Sequence, residues 1–103
     1  MREAGGMLLR DLLARAGGEG AALCRSAHSA HWASATFTGA RHRFTLLLTG
    51  PGATRRANRL AREIGDIEFA LPGHLVADIV AAGKRASAEG VALEVEALTV
   101  EEA

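Results

Sequence analysis

Four groups of residues in this chain carry side chains that could react with or bind something. The first is His74 and Asp78. Four residues apart on one helix, they would stand side by side, with the carboxylate orienting the imidazole and raising its pKa, as an acid–base pair needs. No particular Ser or Cys presents itself as their nucleophile. The pair therefore reads as a surface contact near a helix start before it reads as catalytic.

The second group is the run Thr49-Gly50-Pro51-Gly52-Ala53-Thr54-Arg55-Arg56, a glycine-containing turn between a strand and a helix. Free N–H groups and the positive end of a helix dipole attract anions, and Gly50, Gly52, Thr54, Arg55 and Arg56 are the residues that would hold one. Pro51 has no N–H, and the run lacks the spacing and Lys-Ser/Thr pair of a phosphate-binding loop. The competing reading is a tight turn carrying solvated arginines.

Cys24, His28, His31 and His42 are the third group, with side chains of the kinds that bind zinc. In an unbroken extended chain Cys24 and His28 face one side and His31 the other. A hairpin turning at Gly39-Ala40 sets His42 opposite Phe37, away from His31. That geometry argues against a shared metal, and no metal or cofactor is expected.

The fourth group is basic: Arg41, Arg43, Arg55, Arg56, Arg59 and Arg62. One positive surface made of these would suit a phosphate backbone. Base stacking needs interleaved aromatics, however, and Trp32 is the sole platform nearby. The charge is also split along the chain. Up to Arg62 there are ten arginines against three acids; from Glu63 onward there are two bases against nine acids, so a net charge of zero conceals opposed blocks. The preferred reading pairs the arginines with Asp66, Glu68, Glu94, Glu96, Glu101 and Glu102, in the same molecule or in a neighbouring one. Nucleic acid is disfavoured.

Periodicity supplies the scaffold for these groups. Leu8, Leu9, Leu12, Leu13 and Ala16 predict a helix over 7–16, ended by Gly17-Gly18. Residues 21–30 read as a strand, or as the front half of a long bent one. Two β-rich runs, 31–38 and 41–49, flank Gly39-Ala40 and predict a two-residue hairpin turn there. In that register Phe44 and Leu46 face the core, and Trp32, Leu47, Thr45 and Arg43 share the other face. A helix from 53 to 64 buries Ala57, Leu60, Ala61 and Ile64, and 67–71 reads as a short strand. Leu75, Val76, Ile79, Ala82 and Ala86 predict a second helix over 74–88. A last strand spans 91–100, with Leu93, Val95 and Ala97 inward and Glu94 and Glu96 outward. The repeated strand, Pro-Gly and helix suggest either an internal βα repeat or shared turn chemistry.

At 103 residues the chain reads as one domain over 1–103. Apolar residues form 49% of it, yet only four are aromatic (Trp32, Phe37, Phe44 and Phe69), so the core is thin. A lone Cys24 cannot form an internal disulfide. The charge-broken Met7–Leu13 run suits neither a secretory leader nor a membrane span, and a cytoplasmic setting with no membrane partner is expected.

The fold class expected is α+β: a two-layer sandwich with one mostly antiparallel sheet of four or five strands and two or three helices on one face. The function expected is a small homodimeric interaction module without catalytic activity. Its self-contact would use the sheet face bearing Trp32, Leu47, Thr45 and Arg43, because a thin core leaves little stability to spare. An anion- or small-ligand-binding regulatory domain using the Gly50–Arg56 turn is the alternative. A small enzyme using His74 and Asp78 stands third.

Overall fold

The computed structural model describes residues 3–102. Helix α1 spans Ala4–Arg15, strand β1 Ala22–Ala33 and strand β2 Thr38–Leu48. Helix α2 spans Ala53–Glu63 and runs into a single 3₁₀ turn, Ile64–Asp66. Strands β3, His74–Ser87, and β4, Gly90–Glu101, complete the order. The content is α+β, with one four-stranded, wholly antiparallel sheet in the order β1-β2-β4-β3.

Two helix–strand–strand units therefore meet through their second strands. Of the two readings of the repeated Pro-Gly, the βα repeat is ruled out, because Pro72-Gly73 leads into a strand. The two helices bury corresponding positions. Ala4, Leu8, Leu12 and Ala16 are buried at one residue per turn, and so are Ala53, Ala57, Leu60 and Ile64. Apart from Ala4, these residues join Phe44, Leu46, Leu48, Val91, Leu93 and Val95 in one core cluster. The inward-facing alternate residues of β2 and β4 supply the strand side of that cluster, as expected for Phe44, Leu46, Leu93, Val95 and Ala97.

The second expected helix, over 74–88, is instead strand β3. Two register shifts, at Val76/Asp78 and Ala81/Gly83, each insert an extra residue. Cross-strand register then puts His74, Val76, Ile79, Ala81, Lys84 and Ala86 on one face. The two steps of three, Val76 to Ile79 and Ala81 to Lys84, match the i,i+3 spacing of a helix face and so imitate one locally. The β-branched Val76, Ile79 and Val80 were the contrary signal. Residues 67–71 form no strand beyond an isolated Leu71–His74 bridge.

The β1–β2 hairpin turns at 34–37 rather than at Gly39-Ala40. Ser34 makes the turn: its N–H donates to the Phe37 carbonyl at 2.8 Å, and its Oγ accepts from the N–H groups of Thr36 and Phe37. Gly39 lies inside β2, paired with Trp32 and Val100. It is glycine for closeness, since a Cβ there would sit 2.0 Å from the Thr99 carbonyl oxygen and 2.9 Å from the Trp32 ring.

Candidate functional site

Inward alternation on β2 carries a histidine into the same series as Phe44 and Leu46. His42 is only 4% exposed and stacks on Phe44, with ring centroids 5.9 Å apart. Both ring nitrogens have partners. Nδ1 lies 2.7 Å from Ser29 Oγ, directly across the β1–β2 ladder, and Nε2 lies 2.9 Å from Thr99 Oγ1 on β4. Thr99 donates in turn to the Ala40 carbonyl at 3.4 Å. Burial, and then the nearby His74 and His31, hold the His42 imidazole below its usual 6.5. The first turn of α1 lies against this network, for a Cβ on Gly5 would stand 2.9 Å from Ser29 Oγ and 3.1 Å from His42 Nδ1. Glu3, Ser29, His31, His42, His74 and Glu101 line the cleft beside it, of about 430 Å³.

The intervening strand positions form the other sheet face in rows. One row reads Trp32, Gly39, Val100, Leu75; the next Ala30, Arg41, Leu98, Asp78; then His28, Arg43, Glu96, Val80. Further along come Ser26, Thr45, Glu94 and Gly83, then Leu23, Leu47, Ala92 and Arg85. Apolar side chains thus stand at both ends. In the middle, basic residues on β1 and β2 face acidic ones on β4 and β3. A cleft of about 410 Å³ runs through this middle. The opposed charge blocks meet within the chain as well: Arg43 approaches Glu96 at 3.9 Å and Arg25 meets Glu89 at 2.8 Å.

No family model, curated protein or solved structure matches this chain.

Trp32, Arg43, Thr45 and Leu47 do share one face, although through a different hairpin register from the one expected. Leu47 is already buried at 6% exposure, flanked by Leu23 and Ala92, so the exposed apolar group at that end is Leu23. Trp32 lies across Gly39, with its indole N–H buried and without a hydrogen-bond partner among the described residues.

His74 and Asp78 do not form a pair. On a strand, with a bulge between them, His74 lines the α1-side cleft and Asp78 the cleft on the other face. The turn residues also separate. Gly50, Gly52, Thr54 and Arg55 line an open cleft of about 540 Å³. Arg56 turns away, its guanidinium donating to the carbonyls of Ala16 at 2.6 Å, Thr49 at 2.5 Å and Ala21 at 3.3 Å.

The four Cys and His candidates are distributed otherwise than expected. A bulge between Cys24 and Ser26 reverses the phase of β1, so Cys24 and His31 share a face and His28 takes the other. His42 pairs with Ser29, one row from His31, rather than with Phe37. Cys24 lies at the far end of β1 beside Leu46, and burial raises its thiol pKa above the usual 9.0 despite a backbone hydrogen bond involving Ser26. Ser29 and Thr99 were not among the sequence candidates. The signal for them was His42 falling in phase with Phe44 and Leu46, since a buried imidazole obliges its neighbours to supply hydrogen-bond partners.

Proposed function

We propose that this chain is a homodimeric binding module. Both helices cover one face of the sheet in a two-layer sandwich, and a second copy closes the other face. The supporting observation is the row pattern of that second face. Leu75 at one end, Leu23 at the other and Val80 near the middle are 56%, 49% and 44% exposed, which is costly for an apolar sheet face in open water. Between the ends, His28, Arg41 and Arg43 lie on the β1–β2 half, and Glu94, Glu96 and Asp78 on the β4–β3 half.

This charge pattern selects one orientation. A twofold axis in the contact plane and parallel to the strands lays the basic half of each copy over the acidic half of the other. An axis perpendicular to the strands lays arginine on arginine. The first arrangement is the one proposed, with the charges setting orientation and apolar burial supplying most of the affinity. A chain whose single cysteine is free, and in which no described helix is long and apolar enough to cross a membrane, fits the cytoplasmic setting proposed for it.

Sedimentation over a micromolar concentration series tests the reading. The wild type should dimerise, while Arg41→Glu/Arg43→Glu and Glu94→Arg/Glu96→Arg proteins should each be monomeric alone. Mixed, they should form a heterodimer, because the middle of one face is then mainly acidic and that of the other mainly basic. A wild type that stays monomeric throughout overturns the proposal. Charge-reversed proteins that self-associate as well as the wild type overturn the orientation.

A further inference from the structure

The hydrogen-bonded chain Ser29–His42–Thr99–Ala40 has a direction. The Ala40 carbonyl can only accept, so the Thr99 hydroxyl donates to it. With its proton so placed, Thr99 offers lone pairs to His42 Nε2 and favours the tautomer protonated there, the one that leaves Nδ1 bare. Nδ1 accepts from the hydroxyl of Ser29 at 2.7 Å. This is the relation of a nucleophile to its general base, with the base in turn held by a third group. Thr99, 1% exposed, orients the ring as a neutral partner. Ser29 is solvent-exposed and opens into the 430 Å³ cleft, which is within the size range of small-ligand sites.

Helix α1 completes the arrangement. Its first intrahelical bond runs from the Met7 N–H to the Glu3 carbonyl, and Glu3 provides no side-chain cap. The amides of Ala4, Gly5 and Gly6 precede that bond, at the positive end of the helix, and Gly5 packs against Ser29 Oγ. These N–H groups have no intrahelical partner, and in the site proposed below they would be the donors for a developing oxyanion.

We infer that Ser29 is a nucleophile activated by His42, in a site for small carboxylic esters that carry no negative charge. The charge preference comes from Glu3 and Glu101, both exposed on the cleft wall. In the acylation step Ser29 Oγ bonds to the ester carbonyl carbon while its proton passes to His42 Nδ1, and the carbonyl electron pair moves onto oxygen. Collapse breaks the bond to the alcohol oxygen, which leaves with the proton from Nδ1. Water, deprotonated by the same nitrogen, then attacks the acyl carbon; the bond to Ser29 Oγ breaks, Oγ recovers the proton from Nδ1, and the carboxylic acid leaves. The inference is independent of the dimer, and neither test decides the other.

The test uses p-nitrophenyl acetate and a fluorophosphonate probe on the intact protein, with adducts located by peptide mass spectrometry. The expected result is one adduct, on Ser29, absent from Ser29→Ala and formed ~10²-fold more slowly in His42→Gln. Where His42→Gln fails to fold, the wild-type labelling rate decides: it should rise with pH through the interval below 6.5, as His42 loses its proton. No adduct on the wild type, an adduct that persists in Ser29→Ala, or a rate flat across that interval overturns the inference.

Discussion

The guanidinium of Arg56, on the first turn of α2, donates to the backbone carbonyl of Ala16 at 2.6 Å, just past the last residue of α1. The same group satisfies the carbonyls of Ala21 and Thr49, and so ties the end of one helix to the start of the next. Orphan carbonyls at a helix end need a donor, and the positive charge also suits the negative end of the α1 dipole. Arg56→Ala should lower stability by ~2–4 kcal/mol, because three carbonyls lose a charged donor together. Arg56→Lys should recover only part of this loss, since an ammonium cannot span the fork. Urea denaturation of the three proteins checks both outcomes.

Gly39 carries a different constraint. It is absent from the glycines that adopt a left-handed φ, so backbone freedom does not explain it. A methyl group there would meet a backbone carbonyl at 2.0 Å. Strand β2 must shift from β4, and Trp32 must leave its place. Gly39→Ala should therefore destabilise by at least ~2 kcal/mol, with a change in tryptophan fluorescence. Gly65→Ala, where an added Cβ meets nothing within 4 Å, is the matched control and should be near neutral.

The depressed pKa of His42 sets a direction for acid stability. Burial is the main cause, followed by the neighbouring His74 and His31. Glu3 and Glu101 share the same cleft, and Ser29 and Thr99 hold the ring nitrogens. A histidine whose folded-state pKa lies below its unfolded value of 6.5 binds fewer protons when folded. Its stabilising contribution is complete above the unfolded value and is lost as pH falls through the interval between the two. The melting temperature should thus drop on acidification from neutral pH through the interval below 6.5. In His42→Asn this part of the dependence should vanish, which thermal melts across that range would reveal.

The pieces legible in the sequence were those in which one periodicity ran unbroken. The heptad-like leucines of α1, the arginine-flanked stripe of α2 and the two-residue alternation of β4 each imply one buried face, and that face is the one observed. The inward series Phe44 and Leu46 was equally readable, because side-chain direction on β2 does not depend on where its hairpin turns. Failures came where a residue served a distant partner. Gly39 resembled a turn glycine, yet its role is to let Thr99 and Trp32 come close, and they lie on other strands. Arg56 resembled a free cation beside a helix N-terminus, yet carbonyls at 16, 21 and 49 occupy it.

Local pattern was enough for the α+β composition, both helices, the central strands and the segregation of basic from acidic residues. Each of these depends on residues near one another along the chain. The strand order β1-β2-β4-β3, the strand identity of 74–87 and the meeting of Ser29, His42 and Thr99 arise only in the assembled sheet. The reason is bulge and pairing geometry. One extra residue in β1 and two in β3 reverse which side chains share a face. Those insertions are set by the ladder a strand joins, and no stretch of neighbouring residues records them.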